Sequence, residues 1–412
     1  MRVGIIGGGS AGLCAAWLLD GYAQVTVLEQ QSQLGGHAHT VYVQVDGTQV
    51  PVELGFEFFN EKMFPTLCRL LKVLPIHTTT QPFTYSYRTN SNELILPPIQ
   101  GFNIFFSSFT IGNIKHFIAL KQVIEKSRII LEQKDTTISL EQLLHGYSES
   151  FIHEFFLPLF CAGWGVTPEE FKTFAAYNVM SWIVQNKPMG LGASYWSEIP
   201  TGISGYINAL IKQLKQVATK PNCTVTTITH HDNVYKVQIN NGTTLEFDHL
   251  IIATNAIQAR QLIQSVSIAQ ELIPILSMVD YLTAQLAVHS DQRFMPPKRS
   301  HWSIANVWKH GAYSALTTYK PHGSTTPLFR SWLLPGFPTP NKIYEQATYY
   351  HAKPTVAYFK AQQLLAAQQG KNNLWFAGIY THDIDSHESA LVSALKIVQR
   401  IMPNSVRLQQ LI

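Results

Sequence analysis

Apolar residues open the chain in a short run at 3–6 and break at a glycine cluster. They resume from Leu13 at helical spacing and form a second run at 25–28. Short apolar runs bounded by turn signals read as buried strands, and Leu13-Cys14-Ala15-Ala16-Trp17-Leu18-Leu19 reads as a helix. Alternating positions at 40–45 and 49–54 predict two strands, with Asp46-Gly47 as the hairpin turn between them. Residues 113–185 read mainly helical, with segments at 114–131, from 139 to 145, at 151–160 and at 168–184. Thr201-Gly202-Ile203-Ser204-Gly205 punctuates the return to an α/β pattern, which consists of a helix at 206–217 and a strand at 223–229. A second hairpin, 234–239 and 243–247, turns on Asn240-Asn241-Gly242. Residues 248–254 read as a buried parallel strand leaving into a loop. Residues 280–335 are strand-rich and aromatic, with breaks at Pro296-Pro297, Pro321 and Pro335. A strand at 374–378, a loop and a helix at 388–401 close the chain. There is no internal repeat and no low-complexity tract.

The first 29 residues thus spell strand, glycine turn, helix, strand and acid, and each part has a physical task. Gly7 lets the chain turn sharply out of the strand. Gly9 has no side chain to hold a pyrophosphate away from the backbone, and Gly12 lets the helix pack close to the sheet. Phosphates then sit at the helix N-terminus, beside Ser10 and Ala11, where unpaired N–H groups and the macrodipole favour negative charge. Glu29 lies seventeen residues beyond Gly12, near the usual distance for an acid that accepts hydrogen bonds from an adenosine ribose. Dinucleotide binding is the expectation, and Gln30 borders the same site. Arg2 followed by an apolar, Ala-rich stretch loosely imitates a signal peptide. The glycines weaken such a segment as a helix, and a strand resumes in register after it.

With 412 residues the chain can bury a large core and divide into two domains. Charged residues are 14%, against a typical value of about 25%, and aromatics are 11%, so a large ring-rich interior or pocket is expected. A net charge of +4, without a Lys/Arg cluster interleaved with aromatics, argues against nucleic acid. Cys14, Cys68, Cys161 and Cys223 are scattered without metal-ligand spacing, which makes a reduced cytoplasmic protein the default. The close histidines, His37 with His39 and His230 with His231, have no cysteine or carboxylate partners at metal spacing, so no metal site is expected. The uncharged stretch 94–114 is interrupted by Pro97-Pro98, Gly101, Asn103, Ser107, Ser108 and Gly112, and reads poorly as a membrane span. Its cluster Phe102, Ile104, Phe105, Phe106 and Phe109, followed by Lys115 and His116, has two readings. One is a buried core or pocket wall, and the other is a peripheral contact with a membrane interface.

Pieces of one nucleotide-binding domain therefore appear at the beginning, middle and end. Together with the motifs that follow, they resemble the flavin-containing amine oxidase superfamily over nearly the whole length, most closely its bacterial amine-oxidase-like members described as predicted NAD/FAD-binding proteins. The resemblance rests first on Glu29 running into Leu34-Gly35-Gly36-His37-Ala38-His39-Thr40. There the family's double glycine, Gly35-Gly36, lets the backbone approach the ribityl phosphate. Many members carry Arg where this chain has His37, and the bacterial subgroup has His. Glu53-Leu54-Gly55-Phe56 matches a family Asp-x-Gly-Phe with Glu for Asp. Val225 matches the strand that brackets the adenine, and Ala253-Thr254 matches the exit strand. Phe376-Ala377-Gly378 matches the strand beside the isoalloxazine. His387-Glu388-Ser389-Ala390 begins a helix whose N-terminal amides would face the flavin N1 and C2 carbonyl. The family usually has Gly where this chain has Ala390 and Ala394. No cysteine follows Cys223, so the resemblance implies non-covalent FAD.

The implied architecture is α/β, a Rossmann-like (glutathione-reductase-type) FAD-binding domain with an interleaved α+β substrate domain. Residues 1–85, 196–268 and 366–412 would form the first, and residues 86–195 (mainly helical) and 269–365 (strand-rich) the second. The implied function is an FAD-dependent oxidoreductase that moves a hydride from a CH–NH or CH–CH group of an apolar small molecule to flavin N5. The alternatives are a flavin-dependent isomerase or mutase without net redox, and a non-catalytic FAD-binding protein. In such enzymes the flavin performs the redox step and the protein supplies positioning and electrostatics. The resemblance further implies a lysine near N5, for which Lys309 and Lys320 are the candidates. Tyr380 would either stand over the ring or serve in ordinary packing, and Trp164, Tyr195 and Trp196 would either line the substrate space or belong to the core. Asp383 or Asp385 would either hold a cationic substrate or cap the last helix.

Overall fold

The computed structural model describes residues 1–100, 103–186 and 193–412. Its centre is a five-stranded parallel sheet in the order Val217–Lys220, Gln24–Leu28, Arg2–Ile6, His249–Ile252, Leu374–Phe376. Ile6 lies opposite both Leu28 and Ile252, and Ile252 opposite Phe376. The C-terminal ends of strands far apart in sequence therefore share one edge. Their exit loops, which begin at Gly7, Glu29, Ala253 and Ala377, open side by side. That edge is where an open parallel α/β sheet binds its ligand.

The helix Ser10–Leu19 is buried along its whole length, which suits a sequence apolar all round. The expected helix at 206–217 is shorter, Ser204–Lys212, and Val217–Lys220 is instead the edge strand of the parallel sheet. The cause is distant in sequence: the Lys215 and Gln216 amides donate to the carboxylate of Asp20 at 3.0 and 2.8 Å, which turns the chain out of the helix. Val225–His231, Val234–Ile239 and Thr244–Phe247 form a separate antiparallel sheet of three strands.

A seven-stranded sheet runs Ile343–Ala352, Tyr281–His289, Phe329–Trp332, Tyr313–Tyr319, Ala305–His310, Tyr85–Arg88, Glu93–Leu96. It packs a small core with the hairpin Thr40–Val45 and Thr48–Glu53, through Val43, Val45, Val50, Leu286, Val288 and Trp332. Helices Ile111–Gln133 and Ala176–Asn186 pack against each other as part of the larger core. The expected segment 168–184 is broken into Pro168–Lys172 and Ala176–Asn186. At the break the Leu140 amide donates to the Phe174 carbonyl and the Ala175 amide to that of Pro354, so long-range backbone bonds replace the helical ones. Within the stretch 94–114, Gly101 and Phe102 lie outside the described residues. The rest forms short strands, the turn Phe106–Phe109 and the start of the Ile111–Gln133 helix. No helix among the described residues is long and apolar enough to cross a membrane.

Candidate flavin site

A continuous cavity of about 1580 Å³ begins at the shared strand edge and passes between the two large sheets. A drug-sized ligand occupies pockets of roughly 300–1,000 Å³, so the space suits a dinucleotide together with a second molecule. Of the residues expected to hold the cofactor, Gly7, Gly9, Ser10, Ala11, Glu29, Gln30, Gly36, His37, Val225, Ala253, Thr254, Gly378, Tyr380 and His387 line it.

The glycines divide by what a side chain would meet. Gly7 has φ +108°, its amide donates to the Leu28 carbonyl at 2.8 Å, and a Cβ there would lie 2.6 Å from the Ala253 carbonyl oxygen. A Cβ on Gly12 would lie 2.0 Å from the carbonyl oxygen of Gly7, which holds helix against strand. Gly12 does not itself line the cavity. Gly9 differs: it is extended, and a Cβ would meet only the Gly36 Cα, at 4.0 Å. Nothing in the protein requires glycine there, and the space is open toward the cavity. Gly35 lies behind the wall, its amide bound to the Gly8 carbonyl at 2.8 Å, and presents Gly36 to the cavity. The Glu29 carboxylate accepts the amides of Gly8 (2.7 Å) and Gln31 (2.8 Å), which fixes its orientation. A carboxylate has about four acceptor positions, so capacity for ribose hydroxyls remains.

Two helix N-termini meet across the cavity. Tyr206 Oη donates to Ser10 Oγ at 2.9 Å and lies 2.7 Å from His387 Nε2, joining the first helix to His387–Ile401. Ser386 caps the second helix by accepting the Ser389 amide. The His387 ring stacks on Phe56 at 4.4 Å and 4°. Burial, with His37 nearby, pushes its pKa down to about 3, and burial with His351 nearby pushes that of His37 down to about 4. Both are therefore neutral near pH 7, and beside them the positive potential comes from the two helix N-termini.

Glu388 departs from expectation. It does not line the cavity: its two oxygens accept the Thr66 and Leu67 amides at 2.8 and 3.0 Å, capping the helix Pro65–Val73 from within the core. On a helix that starts beside the cavity, the residue after His387 points away from it, and burial raises its pKa. Neither Lys309 nor Lys320 lines the cavity. Lys320 pairs with Glu198 at 2.9 Å, and Lys309 sits on the strand Ala305–His310, facing elsewhere. Among the described lining residues the one cation other than histidine is Arg330, bound to the Gly55 carbonyl (2.7 Å) and to Glu57 (3.2 Å).

Trp164 and Trp196 line the far part of the cavity, but Tyr195 is 64% exposed and does not, as alternation along the strand Ser194–Glu198 requires. Asp383 is held by Tyr177 Oη at 2.8 Å, outside the lining. Asp385 faces in. Its oxygens accept the indole N–H groups of Trp164 (2.6 Å) and Trp182 (3.1 Å), and its amide donates to Asn178 Oδ1. Burial raises its pKa, and no cation pairs with it within 4 Å among the described residues. Tyr380 Oη and Trp196 Nε1, both buried in the wall, have no hydrogen-bond partner from the protein. Such atoms are normally satisfied, so their placement suits a bound polar group. Tyr206, Glu57, Arg330 and Trp182 were not singled out in the sequence, because their partners lie far along the chain.

The family profile described as "Flavin containing amine oxidoreductase" matches residues 10–329. The chain belongs to that family. That family is one of flavin-containing oxidoreductases, so a flavin is the cofactor that membership implies. A curated relative, polyamine oxidase 2 of Arabidopsis thaliana, is 25% identical over 270 residues; the match spans 60% of this chain and about half (50%) of that protein's length. Solved structures of similar fold include a cyclohexylamine oxidase from Brevibacterium oxydans (TM-score 0.70, 15% identity, 97% of this chain and 99% of that one). Another is a putrescine oxidase variant (TM-score 0.71, 13% identity, 98% and 100%), and a third a fatty acid isomerase from P. acnes (TM-score 0.70, 15% identity, 97% and 98%).

Proposed function

We propose that Gly7, Gly9, Ser10 and Ala11 hold the FAD pyrophosphate, Glu29 its ribose, Val225 the adenine surroundings, and Gly36, His37, Ala253, Thr254, Gly378, Tyr380 and His387 the flavin half. Bound there, FAD supplies the hydride acceptor for oxidation of a CH–NH or CH–CH group in an apolar small molecule. Within that pair of reactions we favour the amine, and the supporting observation is Asp385. It is an acid facing an aromatic and aliphatic wall; its titratable neighbour there is His351, and no lysine or arginine among the described residues pairs with it. An apolar chain would lie along Phe83, Tyr85, Phe117, Leu120, Ile124 and Phe160. An ammonium head beside Asp385 transfers its proton to the carboxylate, leaving the neutral amine and a protonated Asp385. The raised pKa of Asp385 favours that transfer.

The test is anaerobic bleaching of the purified holoprotein with straight-chain alkyl amines, and with alkenes of the same length. Amines should bleach the flavin. Asp385→Asn should retain the flavin while KM for the amine rises roughly 10- to 100-fold, the value of a hydrogen bond to a charged group. Bleaching by alkenes alone, or an unchanged KM in Asp385→Asn, would refute the amine assignment. Turnover that needs pre-reduced flavin and moves no net electrons would refute the oxidase reading.

A further inference from the structure

Six large apolar side chains stand exposed between residues 104 and 118: Ile104, Phe106, Phe109, Ile111, Ile114 and Ile118, with Phe106 and Ile111 at 79% and 78%. Single exposed hydrophobics need no explanation, whereas a cluster marks an interaction surface. The helix Ile111–Gln133 explains the arrangement. Phe117, Leu120 and Ile124 take its inward face and line the cavity, while Ile111, Ile114 and Ile118 recur at helical spacing on the outward face. Phe109 belongs to both, being part of the cavity wall and partly exposed, so the outer apolar face continues into the cavity. From residue 94 to 124 the chain carries no acid, and its cations are Lys115 and Lys121 on either side of the outward stripe.

We propose that this face rests on an anionic lipid surface, with the apolar end of the cavity opening against the bilayer. An outward apolar stripe bordered by lysines is the pattern of a helix lying in a membrane interface rather than crossing it. Lysines at that depth attract acidic headgroups. The geometry also gives an apolar substrate a route from the acyl layer past Phe109 without entering water.

Flotation of the holoprotein with vesicles of phosphatidylcholine alone, and with about one-third phosphatidylserine, tests this. Binding is expected on the anionic vesicles. Phe106→Ser/Ile111→Ser/Ile118→Ser should lower it roughly tenfold or more, and Lys115→Gln/Lys121→Gln roughly fivefold per lysine. Flavin absorbance and thermal midpoint check that each variant is folded. Phe106→Ser alone serves if the triple variant is not, because that ring touches little of the protein. Failure to float with either vesicle, or flotation unchanged by Phe106→Ser and by the triple substitution, overturns the proposal. So does a wild-type dimer that becomes monomeric in the triple variant, since a second copy would then be what covers the face.

Discussion

At the scale of single residues, the glycines of the opening turn do different work. Gly7 and Gly12 are required by the protein: one has a left-handed backbone, and the other lies against a carbonyl oxygen. Gly9 is not required by the protein, since an added methyl meets nothing closer than 4.0 Å, and on the proposed reading it is the FAD pyrophosphate that excludes a side chain there. Gly9→Ala is therefore expected to fold with an apoprotein melting temperature within about 2 °C of wild type, the few tenths of a kcal/mol of an inert substitution. It should lose most of its FAD on gel filtration. Equal loss of apoprotein stability in Gly9→Ala and Gly12→Ala would refute the distinction. Asp385 is the residue-scale counterpart on the proposed substrate side, where a buried acid accepts two indole hydrogen bonds.

At the scale of elements, helix ends organise the site. The N-termini of Ser10–Leu19 and His387–Ile401 converge through Tyr206, while Glu388 ties the second helix to a third by capping Pro65–Val73. Replacing Glu388 by Ala strands two buried amides, and each unsatisfied group costs about 1–3 kcal/mol. Glu388→Ala should thus lower the urea midpoint clearly, while the position of the flavin absorbance bands stays as in wild type. A spectral shift without loss of stability would put Glu388 back at the cofactor. The same dependence on distant partners decides where elements stop. Asp20 ends the helix before Val217–Lys220, and Leu140 and Pro354 divide the segment between Lys172 and Ala176.

For the whole molecule, stability should depend on pH through histidines buried neutral. His289 is fully buried in the seven-stranded sheet. Its Nδ1 accepts the Asp291 amide at 3.1 Å, and its Nε2 lies 2.8 Å from Ser331 Oγ, an arrangement that protonation would break. Burial lowers its pKa from 6.5 to about 4. Between those values the unfolded chain binds a proton that the folded protein does not. The contribution is complete above about pH 6.5 and is lost as pH falls toward 4, roughly 3 kcal/mol in all. The stability difference between wild type and His289→Asn in urea should shrink by about that amount from pH 7 to pH 4. A constant difference would show that His289 does not titrate in this window.

Read alone, the sequence determined the local parts: the glycine turn, the alternating hairpin at Asp46-Gly47, the apolar strands and the motifs of the flavin family. Each of these depends on residues within a few positions of one another. It also supplied many of the residues that line the cavity, because Gly7, Glu29, Gly36 and Gly378 sit in recognisable local patterns. The tertiary structure decided what depends on long-range approach. It made Val217–Lys220 a strand, turned Glu388 into the core, left Lys309 and Lys320 off the cavity, and aimed Asp385 rather than Asp383 or Tyr195 inward. Direction is the physical reason. Sequence spacing says which residues share a face, but only packing against partners some 200 positions away says which face meets the cavity.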